Sequence, residues 1–312
     1  MKNEKIFITG GAGFLGRNII KRYYDNNSIV VYSRDEAKHY YLKKEFPKIT
    51  CVIGDVRNYD LMKKASKGCT IGIFTASLKQ IGAVDQNVDE SIKIIIDGAI
   101  NSRRVAEENG FKAACFISSD KSRAATTLYG AMKFVAGELF IVNAESSTPL
   151  LSTAIYGNVL NSTGSIIPLM WDAIEKGYQL TLFSEEMTRF MITPEEAIDV
   201  IEAGLTRTGV NIVPNIKSFR VKDLFEIYAQ KFGLTYNYGV PRISEKLHEI
   251  MIAGEEITRT HFDPNSNMYI MHYELLAKKP SSFNNNEFSS KDVCLTQEEL
   301  TQLLEKHNYF KK

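Results

Sequence analysis

The run Ile6-Phe7-Ile8-Thr9-Gly10-Gly11-Ala12-Gly13-Phe14-Leu15-Gly16 limits what this chain can fold into more than any other stretch. A short apolar strand leads into glycines at 10, 13 and 16, and a helical pattern follows at once. Each glycine has a mechanical reading: Gly10 allows the tight turn, Gly13 lets backbone approach a diphosphate, and Gly16 lets helix and strand pack closely. The free N–H groups at the start of the helix, with its dipole, then favour an anion. Thr9, Phe14 and Leu15 belong to the same turn and are expected, with the three glycines, to touch a bound dinucleotide.

The first half of the chain repeats this alternation. Strands are expected over Lys5–Thr9, Ile29–Ser33, Ile49–Ile53, Ile71–Thr75, Lys112–Ser118 and Ser152–Tyr156, with helices from near Gly13, Asp35, Tyr59, Asp85 and Thr127. Nearly continuous apolar strands alternating with helices predict an α/β fold with a Rossmann-like, doubly wound parallel sheet. Right-handed crossovers bring the strand ends, and the ligands, to one edge of it. After about Gly157, segments rich in Gly, Pro, Ser and Asn separate helices over Ser165–Lys176, Pro194–Thr206, Val221–Phe232 and Thr296–Glu305. The expected organisation is a dinucleotide-binding domain over 1–165, to which residues near 190–213 return, and a smaller α/β substrate-binding lobe drawn mainly from 166–312. Ser281–Ser290 reads as a polar surface loop.

Charge and composition remove several classes of function. A net charge of +1 gives no global attraction to nucleic acid or to an anionic membrane. No apolar run approaches the roughly 18 residues that span a bilayer, and Met1-Lys2-Asn3-Glu4 shows no signal-peptide pattern, so a cytoplasmic protein is expected. Cys51, Cys69, Cys115 and Cys294 lack paired spacing and read as reduced thiols, and the five histidines form no metal-type cluster, so no metal is expected.

The second strand ends at Val31-Tyr32-Ser33-Arg34, where a carboxylate would suit the ribose hydroxyls of NAD. Ser33 and Arg34 suit a 2′-phosphate instead, so NADP is the expected cofactor, although Asp35 and Glu36 follow closely enough to reach back to a ribose. Asp55-Val56 follows the third strand and is placed either to meet an adenine or, through Asp55, to cap the helix near Tyr59.

In Tyr129-Gly130-Ala131-Met132-Lys133, the tyrosine and lysine are four apart and share a helix face. A nearby ammonium favours the phenolate, so Lys133 is expected to lower the Tyr129 pKa until the phenol can take a proton from a hydroxyl. Ser118-Ser119-Asp120-Lys121 lies at the preceding strand end, where such sheets present reactive groups. Ser119 can hold a hydroxyl. Asp120 and Lys121 exceed what alcohol oxidation needs, but could move the two protons of a water elimination.

At these residues the chain strongly resembles the inverting UDP-N-acetylglucosamine 4,6-dehydratases, which are of the extended short-chain dehydrogenase/reductase type. The likeness runs through Tyr32–Glu36, Gly54–Arg57, Ala76-Ser77-Leu78-Lys79, Ser119–Lys133, Tyr156-Gly157-Asn158-Val159, Gly164-Ser165 with Pro168, Met187–Phe190, Glu245–Glu249 and Asn284-Asn285-Asn286. The resemblance implies that Tyr129, helped by Lys133, removes the O4 proton of a UDP-sugar as hydride leaves C4, while Ser119 holds that oxygen. Lys121 would then take the C5 proton and Asp120 would protonate the departing O6 hydroxyl. For this Lys121 must be largely neutral, which burial near other cations could achieve. Ala76 and Lys79 would contact the cofactor; Lys79, Asn158, Ser165, Pro168, Arg189, Arg242 and Glu245 would contact the substrate. Kinship also implies a homo-oligomer, built through helices around 85–109 and 127–145.

The chain departs from the family pattern at Ile94-Ile95, where Thr-Asn is usual, at Ile155, where a basic residue is usual, and at Ile243-Ser244, which replaces Pro-Gly. Two other readings stand beside the dehydratase: a nucleotide-sugar 4-epimerase or 4-ketoreductase, and a module that senses NADP without turnover.

Overall fold

A computed structural model of the chain describes residues 1–144, 149–241, 243–274 and 286–311. In its first half, β1 (Lys5–Thr9), α1 (Phe14–Tyr23), β2 (Ser28–Ser33), α2 (Glu36–Glu45), β3 (Thr50–Ile53), α3 (Tyr59–Ala65) and β4 (Ile71–Phe74) alternate without interruption. Two short helices, α4 (Ile81–Gln86) and α5 (Val88–Ile92), then run through a π-helical turn (Lys93–Asp97) into α6 (Gly98–Glu108). They are followed by β5 (Ala113–Ile117), α7 (Leu128–Ile141) and β6 (Leu150–Ala154). The helix expected to start near Asp85 therefore begins earlier and is broken at Asn87, whose side chain turns back to donate to Ala83 O at 2.9 Å.

The second half contains β7 (Asn158–Val159), α8 (Ile166–Lys176), β8 (Leu180–Leu182), β9 (Thr188–Ile192), α9 (Pro194–Gly204), β10 (Val210–Pro214), β11 (Ser218–Arg220) and α10 (Val221–Phe232). The remaining elements are β12 (Tyr236–Tyr238), β13 (Ile250–Ile252), β14 (Thr260–Asp263), β15 (Met268–His272), β16 (Phe288–Ser289) and α11 (Gln297–Lys306). Local chemistry marks their ends. Thr193 and Thr296 each form a reciprocal capping box with the glutamate three residues on, and α8 and α10 stop at the left-handed glycines Gly177 and Gly233.

The main sheet runs β14-β15-β10-β6-β5-β4-β1-β2-β3. The seven strands from β10 to β3 are parallel, while β15 and β14 extend the sheet antiparallel beyond β10. This is the Rossmann-like, doubly wound order, with its reversal between β1 and β4. Side chains of period two feed a core on each face. Ile6 and Ile8 join Ile19, Ile20, Ile198 and Ile201 on one side, and Phe7 joins Phe74, Phe116, Val105 and Phe140 on the other.

A third core, including Ile167, Met170, Leu224, Tyr228, Leu300 and Leu304, holds α8, α10 and α11 together as the lobe. The chain returns to the sheet twice from the second half, as β10 and again as the β14–β15 hairpin. The second return lies within the range 166–312 that the sequence assigned mainly to the lobe. No helix among the described residues is long and apolar enough to cross a membrane.

Candidate active site

The glycine turn sits at the sheet reversal. Gly10 has φ +68, and a Cβ there would lie 2.8 Å from Thr75 Oγ1 and 2.9 Å from Ala76 N. A Cβ on Gly16 would lie 2.4 Å from Gly11 Cα, so α1 can press on the turn only with glycine at that position. On Gly13 it would meet just Gly10 O, at 3.2 Å, and Gly13 caps α1 with no side-chain bond to the first N–H groups. The turn is therefore a backbone cradle with unspent donors. Thr9 is buried beneath it and accepts from Ala76 N at 3.3 Å.

At the end of β2 the Ser33 hydroxyl is 2.6 Å from His39 Nε2, and Arg34 is exposed with its guanidinium 3.5 Å from Asp55. Asp55 also accepts from Arg57 Nε at 2.9 Å, and these guanidinium groups hold its carboxyl below the usual range despite partial burial. Asp55 does not cap α3; Asn58 does, accepting from Leu61 N at 3.0 Å. Asp35 caps α2 through Lys38 N at 2.9 Å, which commits one of its oxygens away from a ribose. Val56 is buried behind this group. His39, whose Nδ1 is buried without a hydrogen-bond partner among the described residues, gives no signal in the sequence: on a helix rich in lysine and tyrosine it reads as a solvated residue.

Thr127 caps α7 by accepting from Gly130 N at 3.1 Å. A Cβ on Gly130 would lie 2.2 Å from Lys121 O, so this glycine lets the helix close on the Ser119–Ser122 turn. The structure thus brings Ser119, Asp120, Lys121 and Tyr129 together, with Asp120 and Tyr129 buried and Ser119 and Lys121 half-buried; Lys133, one turn along α7, is buried as well. Asp120 is fully buried; its Oδ1 accepts from Ser119 Oγ at 2.8 Å, Lys121 N at 2.8 Å and Lys121 Nζ at 3.1 Å, while Oδ2 has no hydrogen-bond partner among the described residues.

Two expectations about this group are corrected. The Tyr129 phenol is pushed up to about 12 by burial; the cation opposing that rise is Lys121, helped by the Ser119 hydroxyl, and not Lys133. Lys133 Nζ instead donates to Ile117 O at 2.5 Å and lies 4.7 Å from the Phe116 ring centroid, where burial lowers it to about 7. Nor is Lys121 neutralised by neighbouring cations. Asp120 at 3.1 Å and Glu249 at 3.5 Å outweigh its desolvation and raise it well above an ordinary lysine.

The residues implied as substrate contacts lie across the sheet edge. Lys79 Nζ donates to Thr163 O, and Ser165 precedes α8 with its hydroxyl buried and without a hydrogen-bond partner among the described residues. Pro168 lies in the first turn of α8, and Asn158 Nδ2 donates to Phe190 O at 3.3 Å. Arg189 is buried and already engaged: it donates to Thr188 O at 2.7 Å and to Glu245 at 2.6 Å. Arg242, Asn284 and Asn285 lie outside the described residues. Lys246 and Glu249 belong to the Glu245–Glu249 stretch that carries the family likeness, where the sequence alone suggests no role for them. Both line the pocket in front of Lys121, together with Asp85, Thr126 and Ser244.

The model of the family described as polysaccharide biosynthesis protein matches residues 6–271, which is most of the chain. The chain belongs to this family. Among curated relatives, the UDP-N-acetylglucosamine 4,6-dehydratase (inverting) of Campylobacter jejuni subsp. jejuni serotype O:2 is 33% identical over 84% of this chain and 81% of its own length. A UDP-glucose 4-epimerase of Rickettsia massiliae is 32% identical over 64% of this chain and 62% of its own. The solved structure of Pen from Bacillus thuringiensis superposes with a TM-score of 0.90 at 25% identity, covering 99% of both chains.

Proposed function

We propose that this chain is an NADP-dependent UDP-sugar 4,6-dehydratase that acts on UDP-N-acetylglucosamine and yields a 4-keto-6-deoxy product inverted at C5. The observation that carries the reading is the contact between Lys121 and the fully buried Asp120 beside Ser119 and Tyr129. Alcohol oxidation or epimerisation at C4 can use Ser119, Tyr129 and Lys133 but has no use for a further acid–amine pair. The named activity of the Campylobacter relative, matched over most of both chains, supports the same reading.

The residues present fit a dinucleotide. Gly10 and Gly16 permit a tight main-chain turn that side chains there would break, Gly13 leaves its outer side nearly free, and the uncapped start of α1 offers N–H donors to a diphosphate. Ser33 and Arg34 suit a 2′-phosphate, and Asp55 with Val56 lies where an adenine edge would come. The bound nicotinamide would supply a hydride acceptor for the oxidation at C4 and return that hydride at C6. The protein's part is proton movement and positioning. Tyr129 takes the O4 proton, Ser119 holds that oxygen, and Lys133 lies one turn away on the same helix face. Asp120 and Lys121 give one proton to the departing hydroxyl and receive one from C5.

The free start of α8, with Ser165, Pro168 and nearby Asn158 and Lys79, suits the uridine diphosphate. Arg189 and Arg242 are assigned to the phosphates and Glu245 to the ribose, which requires Arg189 to share its fork between Glu245 and the ligand. Leu128, Phe134, Val135 and Leu139 on α7, with Ile92 and Ile100, are exposed apolar residues that support a homodimer through these helices.

A 4-epimerase is the second reading, favoured by the Rickettsia match. Incubating the purified protein with UDP-N-acetylglucosamine and NADP and measuring product mass separates the readings. Loss of one water is expected. An isomer of unchanged mass would support the epimerase, and no conversion would favour a cofactor-sensing module.

A further inference from the structure

His39 is 5% exposed, and its two ring nitrogens are unequally served. Nε2 lies 2.6 Å from Ser33 Oγ, while Nδ1 is buried without a hydrogen-bond partner among the described residues. Packing alone does not call for a histidine here. Leu42, three residues on and on the same face of α2, is buried as an apolar side chain with no unmet polar atom.

The ring hydrogen has two places to sit, and they differ in cost. Burial lowers the pKa of His39, with Asp35 opposing, so at neutral pH the ring is uncharged and carries one N–H. On Nδ1 that N–H would be a buried donor with no acceptor, the rarest kind of unmet group. On Nε2 it donates to Ser33 and leaves Nδ1 with only an unmet lone pair, which is the smaller penalty. The hydrogen therefore sits on Nε2. Ser33 Oγ then accepts, and its own hydroxyl hydrogen must point away from the ring.

Ser33 is half-buried at the end of β2, and His39 is the only hydrogen-bond partner of its hydroxyl among the described residues. Asp35 does not take the hydrogen, because its carboxylate is engaged within α2: Oδ1 accepts from Lys38 N at 2.9 Å and Oδ2 lies 2.8 Å from Lys38 Nζ. The opposite tautomer would make Ser33 donate to the ring and present only lone pairs, which repel an anion and suit a ribose hydroxyl.

Resting on the NADP reading, we propose that His39 is a positioning residue for cofactor choice: as the Nε2–H tautomer it turns the Ser33 hydroxyl hydrogen outward, as a donor to the 2′-phosphate that distinguishes NADP from NAD. His39 touches no cofactor itself. The exposed Arg34 supplies charge at this end of the cleft, and the Ser33–His39 pair supplies direction.

The test begins with the protein free of nucleotide. Long-range proton–nitrogen NMR spectra of protein carrying nitrogen-15 histidine, taken at about pH 8 where the ring is neutral, tell a protonated ring nitrogen from a bare one. The His39 signals are identified by their loss in His39→Phe and by their shift in Ser33→Ala, which removes a half-buried hydroxyl and leaves the core in place. A proton on Nε2 is expected. A proton on Nδ1 overturns the proposal, whether or not His39→Phe folds.

Nucleotide binding gives the second arm. His39→Phe fills the same space without the N–H and should weaken NADPH by about three- to tenfold while leaving NADH unchanged. Ser33→Ala should do as much, and the double variant should lose little more than either alone. His39→Gln, whose amide can donate to Ser33, should recover part of the loss. Equal losses for both nucleotides, or additive losses in the double variant, overturn the proposal. If the wild type prefers NADPH and His39→Phe keeps that preference in full, His39 loses its role while the NADP reading stands. A wild type that binds NADPH no more tightly than NADH ends the NADP reading and with it the use assigned to the Ser33 hydrogen, while the NMR spectra still decide whether His39 holds that hydrogen outward.

Discussion

The proposed cofactor end and the proposed sugar end of the cleft are built from different materials. At the cofactor end, residues 9–16 shape a cradle from main chain and glycine, one continuous stretch with no buried charge. At the sugar end, Asp120, Lys121, Arg189, Lys246 and Glu249 come from three distant segments and neutralise one another. The first is fixed by steric exclusion and tolerates no added atom. The second is fixed by mutual charge compensation and tolerates no lost partner.

The contrast breaks most visibly at Arg189. Arg189→Met leaves Glu245 and Glu249 short of a cation and should cost about 3–5 kcal/mol in urea unfolding, with NADPH binding by the folded protein nearly unchanged. A proportional loss of cofactor affinity would mean that the two ends are coupled.

Lys133, where the ends meet, should show its burial through pH. Its folded value is lowered to about 7 from 10.5, so between those values the unfolded chain holds a proton that the folded chain lacks. Stability of the cofactor-free protein should therefore rise with pH across that window, by on the order of 2–4 kcal/mol, and Lys133→Met should abolish the rise. Denaturant melts at pH 6 and pH 10 check this.

Gly16→Ala adds one atom against the Gly11 backbone. It should cost about 1–3 kcal/mol and weaken NADPH binding by more than about tenfold, measured by nucleotide fluorescence. The smallest effect is expected at Arg34, which is exposed. Arg34→Ala should weaken NADPH by about 1 kcal/mol and leave NADH unaffected; equal losses for both would remove Arg34 from cofactor choice.

This division also explains what could be read in advance. Ile71–Phe74 is four apolar residues buried on both faces, and Gly10, Gly13 and Gly16 sit at offsets that only a strand–turn–helix unit needs, so the sheet and its cradle were legible from neighbours in sequence. The Tyr129 and Lys133 pair was legible as a helix face, but its electrostatics were not. The acceptor of Lys133 is a carbonyl on β5, and the cation that matters to Tyr129 belongs to a different turn. Glu249 looks like any solvated glutamate until β13 and β16 close around it. The β14–β15 hairpin lacks a clean two-residue alternation, with Ile270 and Met271 both buried, and nothing local says that it joins β10 instead of the lobe.

The double return of the chain has a consequence for biosynthesis. The large sheet cannot be finished until residue 272 has left the ribosome, because the pairing of β15 with β10 joins Val210 to His272. Until then the emerging polypeptide carries β6 or β10 with an open row of backbone donors and acceptors, a template for intermolecular pairing. Translation that halts within the lobe therefore yields a fragment prone to aggregate, not a smaller working enzyme.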